Sequence, residues 1–194
     1  MIRLGKIDIQ TKIILVLISV IVPTFFLVTF VQSQVTQPIL EQEMKQIGIA
    51  TAESLAAKIL TQKWLTRPNL HAYIESEVQE IIYLQPSILR IDVVGKDPMN
   101  DSWRVVSSNI EGETGTVVTN LPAMDTITTI FKVEDEMRYW EINVPIDASG
   151  PHARASKKII GLVHILVSTK TIDRLTTIYW RISVVAASIS TIVL

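Results

Sequence analysis

The side chains of this sequence best suited to grip a small polar molecule are a histidine, an arginine, a tryptophan and two adjacent serines, each on a segment that reads as a β-strand. His164 lies in Ile159-Ile-Gly-Leu-Val-His-Ile-Leu-Val167 with Leu162 and Leu166 on its own face. An ionisable ring in such surroundings is either a satisfied core residue or a ligand contact. Arg138 shares the parity of Trp140 in Met137-Arg-Tyr-Trp-Glu-Ile-Asn-Val-Pro-Ile146, and an arginine on an apolar face needs a carboxylate, a bound anion, or a strand end open to solvent. Trp140 reads as core or pocket wall, and Tyr139 behind it as a surface ring. Ser107 and Ser108 close the strand WRVVSS, where hydroxyls either line a pocket or start a turn. Arg90 and Asp92 read as a solvated face, Tyr73 as packing and His71 as surface. Ser107, Ser108, Arg138, Trp140 and His164 thus form a candidate ligand set of hydroxyl, guanidinium, aromatic and imidazole groups, expected in one cavity on the side of the sheet away from the long helix.

Catalysis is not expected. There is no cysteine, no phosphate-binding glycine loop, no HExxH and no GxSxG. His71, His152 and His164 are too scattered to suggest a metal site, and no cofactor is implied. Eighteen Lys and Arg against nineteen Asp and Glu leave a net charge of −1, and no basic stripe offers itself to a phosphate backbone, so nucleic acid is not an expected partner.

The elements that must position these residues are bracketed by apolar ends. Ile13 to Val31 carries no charge and as a helix spans about 28 Å, enough to cross a bilayer. Pro23 is tolerated there, because freed backbone groups in a membrane helix are satisfied locally. Arg3, Lys6 and Lys12, opposed only by Asp8, place the N-terminus in the cytoplasm and send the following chain outward. A cleaved signal peptide competes with this reading, but the apolar run is long for one and no A-x-A-like site follows. At the other end Ile182 to Leu194 is apolar behind Tyr179, Trp180 and Arg181, residues suited to a membrane interface. It covers only about 20 Å, so a second span is expected to continue past Leu194. The expected division is a cytoplasmic N-terminus at 1–12, a first span at 13–32, an extracytoplasmic domain at 33–177, and the start of a second span at 178–194.

That middle domain is acidic by four charges. Leu40, Met44, Ile47, Thr51, Leu55 and Ile59 recur at helical steps, and Pro68 and Pro86 bracket a second helix bearing Leu70, Tyr73, Ile74, Val78, Ile81 and Ile82. After Pro86 the period becomes two: Leu89, Ile91 and Val93 alternate with Arg90 and Asp92, and the turn KDPMND leads to Trp103–Ser108, a hairpin. A polar loop from Asn109 to Asn120 and a short helix near 122–130 precede the Met137–Ile146 strand. The Ile159–Val167 strand is apolar on both faces, as a central strand is, and Ser168 or Thr169 can cap the last helix with Asp173 in its first turn.

Helices, hairpin, connection, two longer strands and exit helix resemble, in that order, the single-Cache, PAS-like extracytoplasmic sensors of bacterial histidine kinases and chemoreceptors. The likeness covers roughly 34–178 and rests on RIDVVGKD at 90–97, VVSSN at 105–109, YWEINVPI at 139–146 and IIGLVHILVST at 159–169. It implies an α+β fold, a five-stranded antiparallel sheet with the N-terminal helices on one side and a small-molecule pocket on the other. The arginine and aromatic motif of amino-acid-binding double-Cache receptors is absent, as is the basic and histidine pattern of citrate and C4-dicarboxylate sensors, so no ligand class carries over. The expected role is the input region of a receptor in the bacterial inner membrane, most simply a sensor histidine kinase, that binds a small solute such as an organic acid. A parallel homodimer is expected through the Leu40, Met44, Ile47, Thr51, Leu55 stripe, which could instead cover its own sheet. The rival reading is a membrane-anchored structural or protein-binding module without a small ligand.

Overall fold

The computed structural model describes residues 8–97, 101–119, 121–122, 126–135, 137–149 and 158–193. They form two compact units, one of residues 1–41 with 171–194 and one of residues 42–170.

In the first unit, helix α1 runs Ile9–Val31, a turn of π-helix follows at Gln32–Thr36, and α2 begins at Gln37. The apolar side chains of α1 are exposed along its length, and among the described residues the helix beginning at Ile9 is the one long and apolar enough to cross a membrane. Three of its hydroxyls fold back on the helix: Ser19 donates to the carbonyl of Val16, Thr24 to that of Val20 and Thr29 to that of Phe25. Polar side chains are thereby satisfied without water on both sides of Pro23. Helix α4, Lys170–Val193, is long but carries Lys170, Asp173, Arg174 and Arg181 in its first half. Its start follows expectation, with the Lys170 N–H donating to Ser168 Oγ at 3.0 Å and Asp173 in the first turn.

In the second unit, α2 continues to Gln62, two short 3-10 turns at Trp64–Thr66 and Pro68–Leu70 reverse the chain, and α3 spans His71–Leu84. Lys63, at φ 55°, ends α2 in the left-handed conformation. Trp64 stacks on Tyr73 with ring centroids 6.1 Å apart, although Tyr73 remains more than half exposed. The sheet comprises β1 Ile88–Lys96, β2 Trp103–Ser108, β3 Thr128–Glu134, β4 Met137–Asp147 and β5 Ile159–Ser168, in the order β2-β1-β5-β4-β3 with every neighbour antiparallel. The α+β class, the five antiparallel strands and the central place of β5 agree with expectation.

One sheet face packs on the helices. Ala52, Leu55, Ala56 and Ile59 of α2 and Ile74 and Val78 of α3 meet Ile91, Val93, Ile142, Val144, Ile146, Val163, Ile165 and Val167 in one buried cluster. Small residues bring α2 close: a Cβ built on Gly48 would lie 2.4 Å from Ile142 Cδ1 and 2.7 Å from Val167 Cγ2. Most of the stripe expected to pair with a twin is therefore spent on the chain's own sheet. Leu55 is buried and Met44 packs against the core, Thr51 donates to Gln85 Oε1, and Ile47 is left 43% exposed.

Three expectations fail. Tyr139, expected as a surface ring, is 7% exposed, and its hydroxyl donates to the Glu134 carboxylate. The segment expected as a short helix near 122–130 is a β-strand from Thr128 on, with residues 123–125 outside the described set. Thr128-Thr-Ile-Phe-Lys-Val favours strand by its β-branched and aromatic residues, and β4 supplies an edge to pair with through a turn at Asp135, φ 47°. The Arg90 and Asp92 face is not solvated either. Residues Glu113 to Thr119, with Leu121 and Pro122, fold over it, with the Val105 N–H donating to the Thr116 carbonyl and the Val118 N–H to that of Trp103. Asp92 is left 4% exposed.

Candidate functional site

The covered face carries the polar residues of the three inner strands. Cross-strand pairing sets Asp92 of β1 opposite His164 of β5, and His164 opposite Asn143 of β4. Strand side chains alternate, so Val94, Leu162 and Glu141 share this face. With the 113–119 segment, Leu121 and Pro122 they enclose a cleft of about 380 Å³ whose apolar end is Val94, Val105 and Leu162, against which Val118 and Leu121 pack.

Asp92 organises the polar end. Its Oδ1 accepts from the Ser108 hydroxyl at 2.7 Å, and its Oδ2 from Arg90 Nε at 2.6 Å and His164 Nδ1 at 3.1 Å. Burial alone would push the carboxyl up, but the hydrogen bonds from His164, Ser108 and Arg90 outweigh it and hold the group below the usual aspartate range. A second nitrogen of Arg90 lies 3.1 Å from Glu113, tying the covering segment to β1. On the far side of the ring, His164 Nε2 lies 3.5 Å from Glu141 Oε1, while Glu141 Oε2 is paired with Lys132 at 2.5 Å. Burial would raise Glu141 as well, but the Lys132 hydrogen bond, the nearby His164 and the Asn143 amide lower it. Asn143 is 1% exposed, and its Nδ2 donates to Thr128 Oγ1 at 3.2 Å. Two carboxylates held ionised on either side of an imidazole can bind and orient a polar ligand. Among the described residues, no group of three or more His, Cys, Asp or Glu side chains is placed to hold a metal ion.

Of the five residues chosen from the sequence, His164 lines the cleft and Ser108 supports it through Asp92. Arg138, Trp140 and Ser107 lie on the opposite face, so the five do not share one cavity. Trp140 pairs across from Phe131 and Val167, packs against the helix-side core, and has Lys45 Nζ 5.0 Å from its ring centre. Arg138 has the same parity and lies 5.3 Å from the Phe131 ring. Ser107 is displaced by a bulge: the β1–β2 register shifts between Val93 and Val94, so Val105 pairs with Val94 on the cleft side while Ser107 pairs with Val93 on the core side. Two residues of equal sequence parity thereby face opposite ways. His152 lies outside the described residues.

Sequence reasoning missed Asp92, Glu141, Asn143 and Arg90. Their signal was faint but present, namely polar residues at alternate positions of strands otherwise rich in valine and isoleucine, in Arg90-Ile-Asp92 and Glu141-Ile-Asn143.

The protein is thus of the α+β class, with helices on one face of an antiparallel sheet and a covered polar cleft on the other, and its sequence carries an apolar helix near the N-terminus. No family model and no curated protein matches the chain. Among solved structures it is similar to the periplasmic domain of RsbU from Chlamydia trachomatis, at 14% identity and a TM-score of 0.40, over 75% of this chain. The match spans 59% of that structure's length, and a likeness this loose assigns no role.

Proposed function

We propose that this chain is the sensory front end of a bacterial transmembrane receptor. In this reading α1 anchors it in the inner membrane, and residues 33–177 stand outside the cytoplasm as a single-Cache, PAS-like domain. The second half of α4 begins a second span leading to a cytoplasmic output, most simply a histidine kinase. A small solute enters the cleft beside His164 and favours one arrangement of the sheet over another, to the extent that it binds that arrangement better.

The observation that carries this reading is the placement of the Asp92–His164 pair. Buried charge on two inner strands is costly unless paired, and a stable sheet has no need of it there. The pair opens onto a cleft with an apolar end, the combination that suits small-molecule binding. Its His164 sits on β5, which only Thr169 separates in the chain from α4. Exposed Tyr83 and Leu84 at the end of α3 favour a second reading, a membrane-anchored module that binds another protein.

Alkaline phosphatase fused after residue 150 tests the topology, with an active enzyme as the expected result. An expressed but inactive fusion would remove the extracytoplasmic placement and the receptor with it.

A further inference from the structure

We propose that the cleft receives a primary ammonium group carried on a short apolar chain. The proposal rests on the sensory reading above and names the chemistry of its ligand.

The donors and acceptors of the polar end are unequally spent. Arg90 is committed to Asp92 and Glu113, and Lys132 to Glu141. Three carboxylates against two cations leave the cluster negative when His164 is neutral. An incoming carboxylate would add to that charge and would have to break an ion pair to find a cation. An organic acid, the solute first suggested by the sequence, is therefore disfavoured.

Acceptors, by contrast, are in surplus. Ionised Asp92 fixes a proton on His164 Nδ1, so a neutral ring presents Nε2 as an acceptor, 3.5 Å from a second acceptor, Glu141 Oε1. Two acceptors that close repel until an N–H donor comes between them or the ring takes up another proton. Asn143, opposite His164 on the cleft wall, adds a third acceptor. Its Nδ2 is held by Thr128, and its Oδ1, buried in a residue 1% exposed, has no hydrogen-bond partner. Such a group is costly in a folded protein and calls for a donor. An ammonium brings three donors and no acceptor. Val94, Val105 and Leu162 form the apolar end against which a short alkyl chain would lie.

Butylamine and butyrate, matched in length and opposite in charge, are the probes, titrated at equal ionic strength against the full chain in nanodiscs by saturation-transfer NMR. Butylamine should bind saturably and at least tenfold more tightly than butyrate. Glu141→Gln should weaken butylamine at least tenfold, whereas Lys132→Gln, which breaks the same ion pair but keeps the carboxylate, should not. Preferential binding of butyrate would overturn the ammonium assignment and leave the sensory reading standing. Absence of butylamine binding would overturn it as well, and the fusion experiment would then decide the receptor reading separately. Equal loss in both variants, with melting unchanged, would show that the pair and not the Glu141 charge matters, and would also overturn the proposal.

Discussion

Replacing Asp92 by asparagine keeps the shape of a buried side chain while removing the charge that organises the cleft. The amide oxygen can still accept from the Ser108 hydroxyl, but the amide nitrogen then occupies the place that receives Arg90 Nε at 2.6 Å and His164 Nδ1 at 3.1 Å. Donor meets donor at two contacts. Hydrogen bonds to charged groups contribute about 1.5–3 kcal/mol each, which sets an upper limit near 6 kcal/mol. Two reliefs lower it. Arg90 has a side chain 30% exposed and keeps Glu113, so its share is screened to well under about 1.5 kcal/mol. His164 can move its proton to Nε2, accept from the new amide through Nδ1, and donate towards Glu141. A net loss of about 1.5–2.5 kcal/mol remains, which for a domain of this size corresponds to a melting temperature lower by roughly 5–10 °C. Circular dichroism melts of the full chain in detergent, with His164→Ala and the double variant alongside, measure it. The double variant should recover about 1 kcal/mol relative to additivity. Asp92→Asn melting within about 2 °C of the parent, or strict additivity with His164→Ala, would refute the claim that this network holds the cleft.

The remaining predictions concern pH, packing and association. Asp92 and Glu141 both titrate below their ordinary values of 3.8 and 4.5 in the folded chain. Their stabilisation is therefore fully present above those values and is lost as pH falls through the lower folded ones. Urea midpoints should drop steeply below about pH 4, and less steeply in Asp92→Asn. Gly48→Ala gains about 1 kcal/mol of helix propensity but sets a methyl group 2.4 Å from Ile142 Cδ1, for which overpacking costs about 1–3 kcal/mol. A net destabilisation of about 1 kcal/mol should appear as a lower urea midpoint, and a raised midpoint would mean that α2 can lift from the sheet. If the chain pairs with a second copy along α2, a cysteine at exposed Ile47 should crosslink in membranes while one at Met44, packed against the core, should not. Equal behaviour of the two would remove the α2 interface.

Much of the architecture was legible because it is written in local patterns. Nineteen uncharged residues from Ile13 announce the apolar helix, Pro86 marks the change from helical to alternating period, and a run apolar on both faces places β5 in the middle of the sheet. The candidate site was legible only at His164 and, through its bond to Asp92, at Ser108. Faces depend on register, and register is set by partners far along the chain. The bulge at Val93 and Val94 turns Ser107 away from Val105's side, and pairing of β4 with β5 puts Arg138 and Trp140 behind the sheet from His164. Asp92, an ordinary exposed strand residue by its neighbours, is buried because a segment more than twenty positions later folds over it. Periodicity thus determined which elements exist, since it follows from backbone geometry within a few residues. Only the tertiary structure decided which side chains meet, because a one-residue shift between strands exchanges the buried face for the open one.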